Sequence, residues 1–236
     1  MKSKLVRLLV VGLVLAWGAS RQAKADDIVA DFSASSNPIG NWSYGYTSSL
    51  GGTFTLFDIS TTGCGGTIDV WTDASGFPVV DHNNSGSTQT CSGTVSVPTD
   101  VLGMHPDSLG GEAVVRWTAP SSGTYAIQGM FEGLDFAYPT TTDVHILLDS
   151  STSLFSADIA SFEVPVNFSL SQALIAGDTL DFVVGFGNDG NYFGDSTGLA
   201  GTITAPSVVP EPSSLLLVAA GILSVLGAAR RRQLSR

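Results

Sequence analysis

The stretch GFGNDGNYFGDSTGL, residues 185 to 199, is the most chemically suggestive part of the chain. Asn188, Asp189, Asn191 and Asp195 place four oxygen-bearing side chains within eight residues, and glycines at 187, 190 and 194 let the backbone turn its carbonyls toward one point. Hard oxygen ligands on a flexible loop suit Ca²⁺, so a structural calcium ion is the one cofactor the sequence suggests. The spacing is not that of an EF-hand, which also requires a bidentate Glu at its end. The competing reading is an Asx- and Gly-rich turn whose side chains bond their own backbone.

Two other groupings bear on chemistry. Trp42, Tyr44 and Tyr46 in NWSYGY share one face of a strand by alternation. Exposed, such a row would stack on sugar rings; buried, it would be core, and in sequence the two look alike. Cys64 and Cys91 are the only cysteines. In an oxidising compartment they read as a disulfide, stabilising by about 3–4 kcal/mol in the chain-entropy model. A zinc pair with His82 is the rival, and it lacks the close ligand spacing such sites use. No catalytic residue is assigned. His82, His105 and His145 are isolated, His105-Pro106 looks like a loop turn, no serine sits in a G-x-S-x-G elbow, and no carboxylate pair is singled out. The domain is therefore read as non-enzymatic, with a secreted polysaccharide-active hydrolase as the alternative.

The elements that must position these residues are strands. Short segments such as TFTLFDI, TIDVW, EAVVRWTA, GTYAIQGMF, TDVHILLD, VNFSL and TLDFVVGF recur between Gly, Ser, Asn, Asp and Pro. Several alternate with period two, as half-buried strands do. About ten such strands, with no helical stripe between the chain ends, predict an all-β antiparallel sandwich of jelly-roll type over residues 26–205. Trp117 and Arg116 must then point to opposite faces, and Arg116 should find a carboxylate.

The two ends differ from this domain in composition. Residues 1–25 carry Lys2, Lys4 and Arg7, a short apolar run, and Ala23-Lys24-Ala25, the pattern of a cleaved signal peptide. All 21 acids lie between Asp26 and Glu211, where Arg116 is the sole Lys or Arg, so that stretch has a net charge of −20. Nucleic acid is excluded as a partner by that charge, and anionic lipid surfaces are disfavoured. After a linker over 206–212, residues 213–236 hold an apolar run long enough to span a bilayer, closed by Arg230, Arg231 and Arg232. By the positive-inside rule those arginines stay cytoplasmic and the acidic domain lies outside.

Pro210-Glu211-Pro212, the apolar span and the arginine cluster, in that order, resemble the PEP-CTERM sorting signal of exported bacterial proteins. The resemblance implies an exosortase-type membrane protease as partner, anchoring through the C-terminal helix before processing, and delivery to the cell envelope, outer surface or extracellular matrix. A permanent anchor is the alternative. APSSGTYAIQG, DVHILLD and LIAGDTLDFVVG also resemble strands of galactose-binding-like β-sandwiches, the architecture of many carbohydrate-binding modules. That likeness implies a structural or carbohydrate-interacting role, with extracellular polysaccharide as a partner.

Overall fold

The computed structural model describes residues 25–205. The bulk of the expected signal peptide, the motif at Pro210, Glu211 and Pro212, the apolar span and Arg230 to Arg232 lie outside the described residues. Among the described residues no helix is long and apolar enough to cross a membrane.

Sixteen strands succeed one another: β1 (Asp26–Asp27), β2 (Trp42–Thr47), β3 (Thr55–Leu56), β4 (Ile59–Gly63), β5 (Ile68–Thr72), β6 (Val79–Asn83), β7 (Gln89–Cys91), β8 (Val95–Val97), β9 (Leu102–His105), β10 (Glu112–Thr118), β11 (Gly123–Gly133), β12 (Asp143–Leu148), β13 (Thr152–Asp158), β14 (Val166–Leu174), β15 (Thr179–Gly185) and β16 (Thr197–Thr204). They form an antiparallel sandwich. The first sheet runs β14-β11-β16-β9-β6-β5-β4, with β1 also paired to β16; the second runs β13-β12-β15-β10-β2-β3. A separate hairpin, β7-β8, stands apart from both sheets.

Alternation explains which side chains close the core. Tyr125, Ile127 and Phe131 of β11 are buried, while Thr124 and Gln128, on the alternate positions, are exposed. They meet Val115 and Trp117 of β10 and Phe182 of β15 from the facing sheet. Buried Trp117 is held by polar contact as well: its Nε1 donates to Asp26 Oδ2 at 2.7 Å, which also accepts from Asn41 Nδ2 at 2.7 Å. On the outer face of the second sheet Arg116 lies beneath Phe54, 4.1 Å from the ring centroid. Its Nε and a terminal nitrogen donate to the two carboxylate oxygens of Asp181 at 2.6 and 2.8 Å. The lone cation of the domain thus pairs with a neighbouring strand's carboxylate, as its position in EAVVRWTA predicts.

Candidate functional site

A cavity of about 460 Å³ lies on the outer face of the first sheet, built on β5, β6 and β9. Its orientation follows from the pleat. Val80 of β6 and Trp71 of β5 point into the core, so Val79, Asp81 and Val70 point outward and line the cavity. On β9 the outward positions are Gly103 and His105, since Leu102 and Met104 are core.

One wall is the β7-β8 hairpin. Cys64 and Cys91 form a disulfide with Cα atoms 5.3 Å apart, which ties the hairpin to the end of β4. Both cysteines line the cavity. The zinc alternative therefore fails: the thiols are bonded to each other, and His82 turns its ring to Phe32, 5.3 Å away. Behind the hairpin, Asp135 is buried. Its Oδ2 accepts from Thr94 Oγ1 at 2.9 Å, and its Oδ1 accepts from the backbone N–H groups of Ala137 and Tyr138 at 2.8 and 3.0 Å. This carboxylate fixes the turn that carries Tyr138 to the rim.

The opposite wall is aromatic. Tyr192 and Phe193 have ring centroids 4.7 Å apart, and Tyr192 meets His105 edge-on at 5.6 Å. Phe77, from the turn before β6, completes the group at 5.2 Å from His105. Phe193 is 66% exposed and Tyr138 58%, a large apolar area left facing water. His105 Nδ1 donates to the Pro106 carbonyl at 2.7 Å, which leaves Nε2 as an acceptor, and burial lowers its pKa so that the ring is neutral near pH 7.

Asp81 occupies the floor. Its Oδ1 is sealed from solvent and has no hydrogen-bond donor. Burial pushes its carboxyl up to about 7. Gly103, paired with Asp81 across β6 and β9, makes room for it, because a Cβ there would collide with the carboxyl. A carboxyl held without a donor on a cavity floor is costly to folding, and such sites are where function is found.

The loop read for calcium bears the aromatic wall. Asp189 Oδ1 accepts from Asn191 N at 3.0 Å, and Asn191 Oδ1 accepts from Phe193 N at 2.7 Å, so two successive Asx turns present Phe193. Asp195 is buried, and its Oδ1 accepts from Thr141 N at 2.9 Å and from the Thr142 hydroxyl at 3.2 Å. Thr141 Oγ1 also donates to Asp189 at 3.0 Å. Asp195 Oδ2 has no donor, and burial raises its pKa to about 6. Asn188 lies in the same turn, with no group of three or more His, Cys, Asp or Glu arranged to hold a metal among the described residues. At the start of the loop Gly187, at φ +67°, donates its N–H to Asp143 Oδ1 at 2.8 Å, where a Cβ would strike the Thr141 carbonyl. His145 Nε2 donates to Asp143 Oδ2 at 2.9 Å. That bond, foremost, holds the Asp143 carboxyl below its usual range.

The row Trp42, Tyr44 and Tyr46 does not reach this site. Trp42 and Tyr44 are core residues and Tyr46 packs against the core, with Tyr46 stacked on Phe57 at 5.5 Å. Pairing of β2 with β10 sets their shared face inward, opposite Val115 and Trp117, so the exposed-row reading is corrected. The aromatics that do face solvent come from loops, where alternation carries no information. Their legible signal was an Asx- and Gly-flanked Tyr-Phe pair, since large apolar side chains in such a turn have no core to enter.

No curated protein matches the chain. Solved structures with similar folds include CBM51 from Clostridium perfringens GH95 in complex with methyl-galactose (14% identity, covering 64% of this chain and 95% of that one, TM-score 0.35). TmCBM61 in complex with beta-1,4-galactotriose is similar at 10% identity, covering 64% and 90%, with a TM-score of 0.36. A family 35 carbohydrate binding module from Clostridium thermocellum is similar at 13% identity, covering 63% and 98%, with a TM-score of 0.30. At such identities and scores these neighbours assign no ligand to the pocket. The C-terminal segment is another matter: residues 208–233 match the PEP-CTERM protein-sorting motif, and the chain bears that motif as the mark of an exported protein, held in the membrane before processing.

Proposed function

We propose that this chain is a non-enzymatic carbohydrate-binding component of the cell envelope or extracellular matrix, released from its anchor by an exosortase-type protease and binding polysaccharide in the pocket over β5, β6 and β9. The strand order supports a jelly-roll winding: β9, β16, β11 and β14 in one sheet interleave with β10, β15, β12 and β13 in the other, as two Greek keys do.

The observation that carries the binding role is the pocket's chemistry. A cavity of about 460 Å³ is of ligand size. Rings on one wall suit the C–H faces of a sugar, while Asp81 and His105 Nε2 offer acceptors to its hydroxyls. A hydrolase would need two accessible carboxyls. Glu112, raised to about 7 chiefly by burial, and the ionised Asp143 form the most divergent acidic pair, yet Glu112 and its neighbour His145 are only 7% and 8% exposed. Burial of Glu112 thus favours the binding reading over hydrolysis at this pair.

Affinity electrophoresis of the purified chain in polysaccharide gels tests the reading. Retardation without conversion of the polysaccharide is expected, and release of reducing ends would establish the hydrolase instead. Mass spectrometry of the mature chain from its host tests the processing step. A terminus upstream of Arg236 is expected, lost when Pro210-Glu211-Pro212 is replaced by alanines; an intact Arg236 in the unaltered chain would leave a permanent anchor.

A further inference from the structure

We propose that the pocket selects a saccharide carrying a free ammonium group, the ammonium lying against Asp81 and the ring against Tyr192 and Phe193. This rests on the reading of the cavity as a carbohydrate site and adds the charge of the sugar it takes.

Three observations point the same way. First, the floor of the cavity is a carboxyl that takes no hydrogen bond from the protein: its Oδ1 is sealed against Gly103, and its other oxygen is the one left for a ligand. A neutral sugar could offer a hydroxyl there, but an ammonium supplies both the donor and the compensating charge. Second, no Lys or Arg among the described residues is left to offer a charge to this carboxyl. Arg116 is the sole Lys or Arg between residues 26 and 211, and it is committed to Asp181 on the other sheet. His105, the nearest basic ring in the pocket, spends Nδ1–H on Pro106 and is kept neutral by burial.

Third, the surroundings favour a cation over any anionic sugar. Phe77, Tyr192 and Phe193 line the cavity, and aromatic ring faces attract positive charge. The whole stretch from 26 to 211 carries a net charge of −20, so uronates and sulfated glycans are repelled before they reach the pocket. Gly103 shows that the carboxyl's place is reserved: any larger residue opposite Asp81 would displace it. Leaving a carboxyl without a partner weakens the fold, and a ligand that supplies the partner recovers that loss on binding.

The test is calorimetric titration of the purified full chain at pH 7 with glucosamine oligosaccharides, N-acetylglucosamine oligosaccharides of equal length, glucose oligosaccharides and oligogalacturonate. The free amine is expected to bind about tenfold or more tighter than its acetylated twin, the difference a charge-assisted bond makes. Oligogalacturonate should bind weakest. In Asp81→Asn, a neutral replacement of the same shape, the preference should vanish, the amine binding no tighter than the N-acetyl sugar does to the same variant. Diffuse attraction to an acidic surface would survive that substitution, so an undiminished preference for the amine in Asp81→Asn overturns the inference. So does equal or tighter binding of the acetylated or neutral sugars, which would leave the carbohydrate reading intact. Failure of every saccharide to bind would overturn both.

Discussion

Replacing Asp81 by Asn should make the unliganded protein more stable, and only at high pH. The carboxyl rises from 3.8 to about 7 on folding because burial disfavours its charge. The folded state therefore holds the proton more tightly than the unfolded chain does. Stability from this group is greatest below about pH 4 and is lost as pH rises toward 7, at about 1.4 kcal/mol per pH unit, or about 4 kcal/mol in all. Asparagine does not titrate, but its amide takes the same donor-poor position next to Gly103, at a pH-independent cost of about 1–3 kcal/mol. Above pH 7 the variant should thus be more stable by about 1–3 kcal/mol, and below pH 4 it should be less stable by a similar amount. Glu112 and Asp195, raised to about 7 and about 6, tilt both proteins in the same direction and cancel in the comparison. Urea unfolding of both chains from pH 4 to pH 8, read as the difference in unfolding free energy, is the measurement. Parallel profiles, with no change of sign, would mean that Asp81 is solvated in the folded protein and that the cavity floor is not the low-dielectric site described.

Reduction, or Cys64→Ser, should lower stability by about 3 kcal/mol and weaken ligand binding as well, because the same bond closes the loop and holds the hairpin wall; free thiols at both positions in peptide maps would refute the link. Phe193→Ala should weaken saccharide binding about threefold to tenfold with an unchanged thermal midpoint, since a ring 66% exposed supports little of the fold. A fall in midpoint with binding intact would move Phe193 from the site to the scaffold. Calcium bound at the 185–199 loop should raise the midpoint more than magnesium at equal concentration, and Asp189→Ala should abolish the difference; equal shifts from the two ions would make the loop a turn alone.

Strands buried on a regular pleat were legible before any coordinates. GTYAIQGMF, EAVVRWTA and TLDFVVGF became β11, β10 and β15, because period-two burial leaves its trace in residue type. The pairing of Cys64 with Cys91 was legible too, as an even count. What escaped was the floor of the pocket. β6 begins after Phe77-Pro78 and sets Asp81 and Asn83 outward, so FPVVDHN lacks a polar and apolar rhythm and looks like a turn. β9 is four residues with Gly103 inside and His105-Pro106 at its end. Both departures have the same cause: the outward positions serve the cavity in place of water, which replaces the usual surface residues with a carboxyl, a glycine and a histidine. The loop at 185–199 shows in its hydrogen bonds the Asx- and Gly-rich turn that was one of its two readings. Its Asp and Asn side chains do gather oxygens, but those oxygens accept N–H and O–H groups of the loop and of Thr141 and Thr142, and what they deliver is Tyr192 and Phe193.

The disulfide that fastens the β7-β8 hairpin has a consequence for timing. Thiols stay reduced in a bacterial cytosol and pair only beyond the inner membrane, so one side of the cavity cannot be secured until the chain has been translocated. A chain waiting inside the cell would meet sugar precursors and nucleotide-linked saccharides with that side still loose. On the proposed reading of the cavity as a saccharide site, its binding wall would be completed only on arrival, through a covalent bond that the destination itself provides.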